Sequence, residues 1–372
     1  MKIAMIGHKR IPSREGGIEI VVAELSRRMV ALGNTVVAYN RKSEHIAGKD
    51  FDANSHSKEW EGVEIKWVPT PNSSKLNAIV YSAFATLRAV FGGFDVIHFH
   101  AEGPASMVLL AKLFRKKCIV TIHGLDWQRS KWGGFATKFL LFGEKVAAKH
   151  ADEIIVLSQN VQNYFRQTYN RETVYIPNGI TEPSIKQAKE IDEEYGLVKN
   201  DYILFLGRLV PEKGIHYLID AYSRLETDKK LVIAGGASHT DEYEAEIIRK
   251  SEDNPNIIFT GFIQGRKLKE LYSNAYIYCL PSDLEGMPIS LLEAMSYGNC
   301  CLTSDIPECT EVCLDKAVYF EKSNIDSLAE KLSYLLDNPV TVDEYKSNAS
   351  QHILKNFNWD RVAQQTLELY KR

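Results

Sequence analysis

A short segment in the second half of the chain places two cations close together. Segment 206–214, LGRLVPEKG, carries Arg208 and Lys213 five residues apart, directly after a predicted strand. A guanidinium fork and an ammonium point charge on one loop are suited to binding a diphosphate. A solvated pair on the surface is the alternative that this loop alone leaves open.

A second segment in the same half, SDLEGMPISLLEAMSYG at 282–298, carries two carboxylates. Glu285 precedes a predicted helix, and Glu293 lies inside that helix eight residues later. One carboxylate can accept hydrogen bonds from a ribose and the other from a sugar. The backbone amides at the start of the helix face its positive end, where a sugar phosphate can bind. We expect these amides at Gly286, Met287, Pro288 and Ile289.

Near the N-terminus, the loop GHKRIPSREGGIE joins a predicted strand to a predicted helix that begins at Gly16 and Gly17. Two glycines let the backbone approach a ligand closely, and the free N–H groups of a helix start attract phosphate. A flexible turn is the alternative. The loop contains no GxGxxG pattern, so the sequence does not support a dinucleotide fingerprint.

Histidines follow two predicted strands of the N-terminal half. His123 ends the strand CIVTIHG, where we expect it to be accessible, and a structural histidine at the strand end is the alternative. In DVIHFH we expect His98 to be structural and His100 to face an acceptor. Asp126 can position an acceptor hydroxyl, or it can pair with Arg129.

The elements that must position these residues alternate along the chain. KIAMIG predicts a strand, VVAELSRRMVALG a helix that ends at Gly33, and NTVVAYN the next strand. The strands DVIHFH, CIVTIHG, EIIVLS and TVYIPNG follow, with predicted helices at 105–114, 135–150 and 159–168. Strands that alternate with helices indicate a parallel α/β sheet.

A second alternation begins after the polar stretch 181–200, with the strands DYILFLG, KLVIAGG, NIIFTGFI, AYIYCLPS and NCCLTSD. The chain ends in predicted helices at 325–336 and 360–370. The fold class is therefore α/β, with two doubly wound domains, 1–180 and 181–358, facing across a cleft. Ligands bind at the carboxyl ends of strands in such sheets, where all the segments above lie.

Composition and charge narrow the class of protein. The chain has 372 residues, 45% of them hydrophobic and 25% charged, which excludes a disordered or collagenous protein. Residues 1–180 carry 24 Lys and Arg against 16 Asp and Glu, and residues 181–372 carry 21 against 32. A basic first half predicts an anionic partner. The six cysteines include no CxxC pair, so buried free thiols are favoured over a zinc site.

The segments GRLVPEKG and EGMPISLLE resemble those of the retaining GT-B glycosyltransferases of glycosyltransferase family 4. The resemblance covers the whole chain and includes the Gly-Gly pair at 16–17, TIHG at 121–124, IPNGI at 176–180 and AGG at 234–236. The N-terminal half is also similar to bacterial polysaccharide glycosyltransferases that include rhamnosyltransferases. This family has the GT-B fold, which consists of two Rossmann-like domains, and in its pattern the last helix returns to the first domain, here at 359–372.

The resemblance implies a role for each matching residue. Arg208 and Lys213 would neutralise the departing diphosphate. Glu293 would bind the donor ribose, and Glu285 would contact the donor sugar near the reacting carbon. His123 would reach the donor sugar. The remaining donor-binding positions are Gly16, Gly17 at the β-phosphate, Gly235, Phe262 and Ile263 at the base pocket, and Asn178 at the hinge edge of the cleft.

The resemblance also implies retention at the anomeric carbon. Since no protein nucleophile is evident, a front-face displacement is favoured, in which the leaving phosphate receives the acceptor's proton. The two cations would replace a metal ion, so we expect no metal and no cofactor beyond the nucleotide-diphosphate sugar as substrate. Asp50 and Asp52 match the DxD metal motif of another glycosyltransferase fold, but no predicted strand precedes them.

Other function classes are compatible with two such domains. A sugar-nucleotide epimerase or a phosphorylase can have this fold, although a phosphorylase needs a pyridoxal-bound lysine that no feature of the sequence specifies. A non-catalytic nucleotide-sugar-binding subunit is a further alternative. The set of two cations and two carboxylates argues against that subunit.

Residues 104–150 hold nine Lys and Arg against two acids. In this stretch Trp127, Trp132, Phe135, Phe139, Leu140 and Phe142 interleave with Arg129, Lys131, Lys138 and Lys145. Such a pattern suits contact with anionic lipid, and packing of the aromatic residues in the core is the alternative. We expect a glycan or polyprenyl-diphosphate-linked acceptor and no nucleic acid partner. No signal-peptide pattern is evident at the N-terminus, which favours a cytoplasmic protein at the inner face of the cell membrane.

Overall fold

The computed structural model describes residues 1–42, 57–71, 77–129, 133–237 and 240–372. The chain divides into two compact units. The first unit contains Met1–Gly179 and Trp359–Arg372, and the second unit contains Ile180–Asn358. The chain therefore passes from one unit to the other twice, after Gly179 and after Asn358.

The first unit is built on one sheet. Its strands are β1 Lys2–Ile6, β2 Thr35–Lys42, β3 Glu59–Trp60, β4 Val63–Pro69, β5 Val96–His100, β6 Lys117–Ile122, β7 Glu153–Val156 and β8 Val174–Tyr175. In the described part of the chain they lie in the order β3-β4-β2-β1-β5-β6-β7-β8, and every pair is parallel except β3 with β4. The order reverses direction between β1 and β5, which makes this the switch point of the sheet.

Helices connect these strands. They are α1 Gly17–Ala31, α2 Asn77–Val90, α3 Glu102–Ala105, α4 Val108–Leu113, α5 Gly134–His150 and α6 Gln159–Tyr169. Helix α1 buries Val21, Leu25 and Met29 at helical spacing against the sheet. It stops because Gly33 takes the left-handed conformation, with φ +82°, and its N–H donates to the carbonyl of Val30 at 2.9 Å.

The second unit has a fully parallel sheet in the described residues. Its strands are β9 Tyr202–Leu206, β10 Lys230–Ala234, β11 Ile257–Gly261, β12 Ile277–Leu280, β13 Cys300–Ser304 and β14 Val318–Phe320. They lie in the order β11-β10-β9-β12-β13-β14, so the switch point lies between β9 and β12. This is the strand order of dinucleotide-binding sheets.

Eight helices belong to the described part of the second unit. They are α7 Glu190–Tyr195, α8 Ile215–Tyr222, α9 Asp241–Ser251, α10 Gly265–Asn274, α11 Ile289–Ser296, α12 Pro307–Cys313, α13 Ile325–Asp337 and α14 Pro339–Asn356. The final helix, α15 Trp359–Lys371, belongs to the first unit and packs on α1. Arg28 on α1 pairs with Asp360 on α15 at 2.7 Å.

Several elements differ from the sequence-based prediction. The helix predicted at 105–114 is shorter in the structure, where α4 covers Val108–Leu113 and a separate short helix, α3, ends at Ala105. The elements β3, β4, α2, α12, β14 and α14 were not predicted. Helix α14 buries only Val342, Ala349 and Ile353 over 18 residues. Its sequence therefore shows too few apolar residues to predict a helix of that length.

Candidate functional site

The candidate residues follow the strands that flank the switch point of each sheet. In the second unit, Arg208 follows β9 and Glu285 follows β12, and these strands are neighbours. In the first unit, His100 ends β5 and His123 follows β6, while β1 leads into the loop before α1. Ligands of doubly wound sheets bind at this place. Each sheet thus carries polar side chains where its topology favours a ligand.

Lys213 and Glu285 form an ion pair in the second unit. Lys213 Nζ lies 2.5 Å from Glu285 Oε1, and the two side chains are only 11% and 9% exposed. Ser282 Oγ donates to the same carboxylate oxygen at 2.6 Å. Burial of either charge without the other would be strongly destabilising. An ammonium has three N–H donors, and the contact with Glu285 requires one of them.

Glycines bring the loop of Lys213 against the strand ends. Gly214 has φ +64°, and a Cβ at this position would lie 2.0 Å from the carbonyl oxygen of Pro281. A Cβ on Gly207 would lie 3.8 Å from Lys213 Cε. The side chain of Lys213 therefore lies against Gly207, the residue before the half-buried Arg208.

Glu293 projects from α11 and is anchored by a tyrosine. Tyr272 Oη donates to Glu293 Oε2 at 3.1 Å, and the ring of Tyr272 stacks on that of Tyr297 with 5.4 Å between centroids. Glu293 remains half-buried. An oriented carboxylate with one face toward solvent can accept hydrogen bonds from a diol.

The stretch before α11 offers fewer amides than we expected from the sequence. Helix α11 begins at Ile289, and Pro288 is its N-cap residue. Proline has no N–H group. The prediction of a donating amide at Pro288 is therefore wrong, and Gly286, Met287 and Ile289 are the residues of this stretch whose backbone can donate.

Gly235 supports the packing of the sheet. It has φ +151°, and a Cβ here would lie 1.7 Å from the carbonyl oxygen of Gly207. Its own N–H donates to the carbonyl of Gly261 at 2.8 Å, so that amide is used within the sheet. Phe262 and Ile263 follow β11 and are half-buried. Their place in a base pocket stays a prediction.

His123 is buried, which corrects the expectation that it is accessible. It is 8% exposed, and its Nε2 lies 3.0 Å from His100 Nδ1. His100 is fully buried, so the expectation that it faces an acceptor is wrong as well. A strand end does not guarantee exposure, because neighbouring strand ends and loops cover it. His100 contacts His123 through one of its ring nitrogens.

Two more histidines adjoin this pair. His98 Nδ1 lies 2.6 Å from Tyr370 Oη and its Nε2 lies 2.7 Å from Thr121 Oγ1, which confirms its structural role. His8, which follows β1 after Gly7, has its Nε2 2.9 Å from Asn40 Oδ1. The carboxyl ends of β1, β5 and β6 thus form a buried histidine cluster, defined as His8, His98, His100 and His123.

Burial keeps this histidine cluster uncharged. It lowers the pKa of His8 and of His123 to about 4 and that of His98 to about 3. The pKa of His100 also lies well below its ordinary value, for the same reason and because of the neighbouring imidazoles. At neutral pH the cluster therefore offers neutral donors and acceptors.

The loop before α1 contains a buried ion pair. Arg10 and Glu15 form an ion pair at 3.0 Å with side chains 8% and 1% exposed. This buried pair therefore joins two residues of the loop. Gly16 is the N-cap residue of α1, and Gly17 is exposed at its first position.

Two buried carboxylates hold the loop that follows β6. Asp126 pairs with Arg129 at 2.8 Å, one of the two alternatives for this residue, and its N–H donates to Glu102 Oε1 at 3.0 Å. Trp127 Nε1 donates to Glu144 Oε2 at 3.1 Å. Burial raises the pKa of both Glu102 and Glu144. These contacts set where Asp126 lies relative to His123.

The basic and aromatic stretch around α5 is part core and part surface. Leu140 is buried, whereas Phe135 and Phe142 are 80% and 50% exposed. Lys131 and Trp132 lie outside the described residues. Among the helices described, none has the length and apolar character needed to cross a membrane.

The other predictions concern Asn178, the cysteines and a metal site. Asn178 is buried near the end of the first unit's N-terminal segment. The six cysteines are free and buried, as predicted. Asp50 and Asp52 lie outside the described residues. In the described ranges, no group of three or more His, Cys, Asp and Glu residues is placed to hold a metal ion.

Known protein families match both halves of this arrangement. The profile described as "Glycosyltransferase Family 4" matches residues 15–182, and that of "Glycosyl transferases group 1" matches residues 187–352. The chain belongs to glycosyltransferase family 4. The two matches divide the chain close to the point where the structure separates the first unit from the second, and together they span nearly all of this glycosyltransferase.

Individual relatives extend over the whole chain. An alpha-maltose-1-phosphate synthase of Mycobacterium tuberculosis is 26% identical, with 100% of this chain and 99% of the relative covered. A sucrose-phosphate synthase from Thermosynechococcus elongatus superposes with a TM-score of 0.85 at 21% identity, covering 100% of this chain and 98% of that one. HepE of Anabaena, in complex with UDP-glucose, superposes with a TM-score of 0.81 at 17% identity, covering 100% of this chain and 99% of HepE. These likenesses establish the GT-B fold of the glycosyltransferase.

Sequence reasoning missed several residues of the two switch points. His8 carries the same signal as His123, a polar residue directly after an apolar strand, and could have been found. Glu102 follows the strand DVIHFH by two residues. Tyr272 and Glu144 gave no such signal, because each lies in a helical stretch far from the residue that it contacts.

Proposed function

We propose that this glycosyltransferase moves a sugar from a nucleotide-diphosphate sugar to a glycan or lipid-linked acceptor, with retention at the anomeric carbon. The observation that carries the proposal is the ion pair of Lys213 and Glu285 at the switch point of the second sheet, beside Arg208. It combines a cation for a diphosphate with a carboxylate for a sugar. We propose that the second unit binds the donor and that the first unit is on the acceptor side.

In this mechanism Arg208 and Lys213 stabilise the negative charge that grows on the β-phosphate as the bond to the sugar breaks. A preorganised donor of this kind is worth roughly 3 kcal/mol in the transition state. The acceptor hydroxyl attacks from the face that the phosphate leaves, and its proton passes to the departing phosphate. Glu285 contacts the sugar near the reacting carbon. The amides of Gly286, Met287 and Ile289 bind sugar hydroxyls or phosphate.

Glu293 would hold the donor ribose. Its carboxylate is oriented by Tyr272 and half-exposed, so a ribose diol can donate to it. In the first unit, His123 would supply a neutral imidazole to the donor sugar, because burial keeps its pKa at about 4. His100 would orient that imidazole through the contact of their ring nitrogens. Asp126 would position an acceptor hydroxyl, while Gly16 and Gly17 supply helix-start amides to phosphate.

The biological setting that we propose is bacterial surface polysaccharide synthesis at the inner face of the cell membrane, with rhamnose as one candidate sugar. The similarity of the N-terminal half to polysaccharide glycosyltransferases supports this setting. The exposed Phe135 and Phe142 on α5, beside exposed lysines, support contact of the protein with anionic lipid.

A thermal-shift screen of nucleotide sugars, with rhamnose donors included, tests the donor class. A ligand that binds only the folded protein raises its melting temperature by mass action. We expect one nucleotide series to stabilise the protein, and turnover with that donor to follow when an acceptor is supplied. If no nucleotide sugar stabilises the protein, the proposed donor site is wrong.

A matched pair of variants localises that binding. Glu293→Gln should weaken donor affinity by about tenfold or more, since hydrogen bonds to a charged group contribute about 1.5–3 kcal/mol. Glu330→Gln, on the exposed face of α13, should leave affinity unchanged. Hydrolysis or epimerisation of the donor without any transfer would instead favour the epimerase alternative.

A further inference from the structure

Helix α2 presents an apolar face to solvent. Phe84 and Leu87 on the helix, and Phe91 directly after its end, recur at helical spacing and are 52%, 39% and 74% exposed. The opposite face of the helix is buried and includes Tyr81 and Ala85. The helix therefore has apolar side chains on its exposed face as well as on its buried face, whereas a surface helix usually presents polar side chains to solvent.

Helix α4 continues this apolar surface. It packs on α2, and Leu109 and Leu113 are 38% and 80% exposed, followed by Phe114 at 42%. The ring of Phe114 contacts that of Phe91 edge-on, with 5.1 Å between centroids. The α2–α4 patch, defined as Phe84, Leu87, Phe91, Leu109, Leu113 and Phe114, is therefore one surface. Contiguous apolar surfaces of this kind mark interaction sites.

Cations border the α2–α4 patch. Arg88 lies between Leu87 and Phe91 on the exposed face of α2, and Arg115 follows Phe114. A groove of about 440 Å³ adjoins α4 at the amino ends of β6 and β7. It is lined by five basic residues, among them Lys112 and Lys116, and by two acids. One of the acids, Asp152, is paired with Lys112 at 2.5 Å.

We propose that the α2–α4 patch is a membrane-docking surface for an anionic bilayer. The apolar side chains enter the region between headgroups and acyl chains, while the basic groove and Arg88 bind lipid phosphates. Apolar and aromatic side chains next to an excess of cations are the combination that lies on anionic membranes. A protein partner would have to match both the apolar area and the positive charge. The patch consists of other side chains than the aromatic stretch around α5, although α4 also packs on α5. The proposal rests on the membrane setting proposed above and not on the donor site.

Vesicle binding by the full-length protein tests the proposal. Wild-type protein should cosediment with vesicles that contain phosphatidylglycerol, and at least tenfold more weakly with vesicles of phosphatidylcholine alone. Phe91→Ser combined with Leu113→Ser should lower binding at least tenfold, and so should Arg115→Glu combined with Lys116→Glu. The melting temperature of each variant shows whether it is folded.

A matched control comes from the second unit. Ile185 and Val340 are 62% and 72% exposed, so Ile185→Ser combined with Val340→Ser removes similar apolar surface elsewhere and should leave vesicle binding unchanged. Failure of wild-type protein to bind anionic vesicles would overturn the proposal, as would unchanged binding by both patch variants.

A second copy of the chain is the competing occupant. Light scattering that shows a wild-type dimer, together with a monomeric Phe91→Ser/Leu113→Ser variant, would assign the patch to self-association and reject the membrane. Stabilisation by a nucleotide sugar is measured on the same variants. Because that readout does not depend on the patch, loss of the donor hypothesis and loss of the docking hypothesis remain distinguishable.

Discussion

The switch points of the two sheets have the same topology and opposite chemistry. In the first unit the strand ends carry a buried histidine cluster, whose imidazoles burial keeps neutral. In the second unit they carry a charged pair, Lys213 with Glu285, beside Arg208. The sheet order provides the place for a ligand in both, and the side chains decide which ligand chemistry each place suits.

The difference follows from the cost of burial. An imidazole can be buried by giving up its proton, so four of them can be packed together without counter-ions. A lysine and a glutamate are instead buried as partners, because either one alone would leave an uncompensated charge. Neutral groups suit hydroxyls and sugar rings, whereas cations suit a diphosphate. The comparison therefore predicts that electrostatic catalysis depends on the second unit and acid stability on the first.

The largest expected effect concerns Lys213. Lys213→Ala should lower turnover by about 10²–10³-fold, because it removes a cation that stabilises the leaving phosphate. Steady-state kinetics with the donor identified by the screen measures this loss. The variant also leaves Glu285 without its partner, so circular dichroism and melting temperature must show that it is folded.

Lys230→Ala is the matched control for Lys213. Lys230 begins β10 of the same sheet and pairs with Asp201 at 3.3 Å, away from the switch point. Its removal should leave turnover near that of the wild type. Near-normal turnover of folded Lys213→Ala protein would remove that lysine from the catalytic set and weaken the contrast between the two units.

An effect of intermediate size is expected from acid. The folded pKa of His8 is lowered from 6.5 to about 4, so below pH 6.5 the unfolded chain takes up a proton that the folded chain does not. Stability is therefore lost as pH falls from 6.5 to about 4, by up to about 3 kcal/mol for one such group. His98 and His123 act in the same direction. Glu102 and Glu144 have raised pKa values and oppose it in part.

The tryptophans allow this loss to be assigned to one unit. All five, at 60, 67, 127, 132 and 359, belong to the first unit. Denaturant unfolding followed by tryptophan fluorescence should show a larger drop in stability between pH 7 and pH 4.5 than the transition of the second unit seen by circular dichroism. His98→Gln should reduce the drop, and His150→Gln, at an exposed position, should not. Equal acid sensitivity of the two units would contradict the comparison.

We expect the removal of metal ions to have no effect on turnover, the smallest of the predicted effects. If Arg208 and Lys213 supply the positive charge at the diphosphate, turnover should survive incubation with EDTA. Complete loss of activity, restored by Mg²⁺ or Mn²⁺, would show that the charge in the second unit is not sufficient. Asp50→Asn combined with Asp52→Asn would then show whether the DxD sequence holds that metal.

Local pattern was enough to predict much of the fold. The alternation of apolar runs and amphipathic stretches predicted most strands of both sheets, and Gly33 marked the end of α1, because strand and helix periods and caps are properties of neighbouring residues. The same logic placed Arg208, His123 and Glu285 at carboxyl ends of strands. It failed for α14, which buries only three residues over 18, and for α2, whose exposed face is apolar as well.

Contacts between distant residues were decided by the tertiary structure. Lys213 and Glu285 are 72 residues apart, and His98 and Tyr370 are 272 apart. Whether His123 and His100 are buried depends on which strand ends and loops surround them, and this depends on sheet order rather than on the strand that carries them. By itself, the sequence determined which residues reach the ends of the strands. Only the packed sheets decided which of them are neutral, which are paired and which face solvent, because burial and its electrostatic cost are set by neighbours far away in the chain.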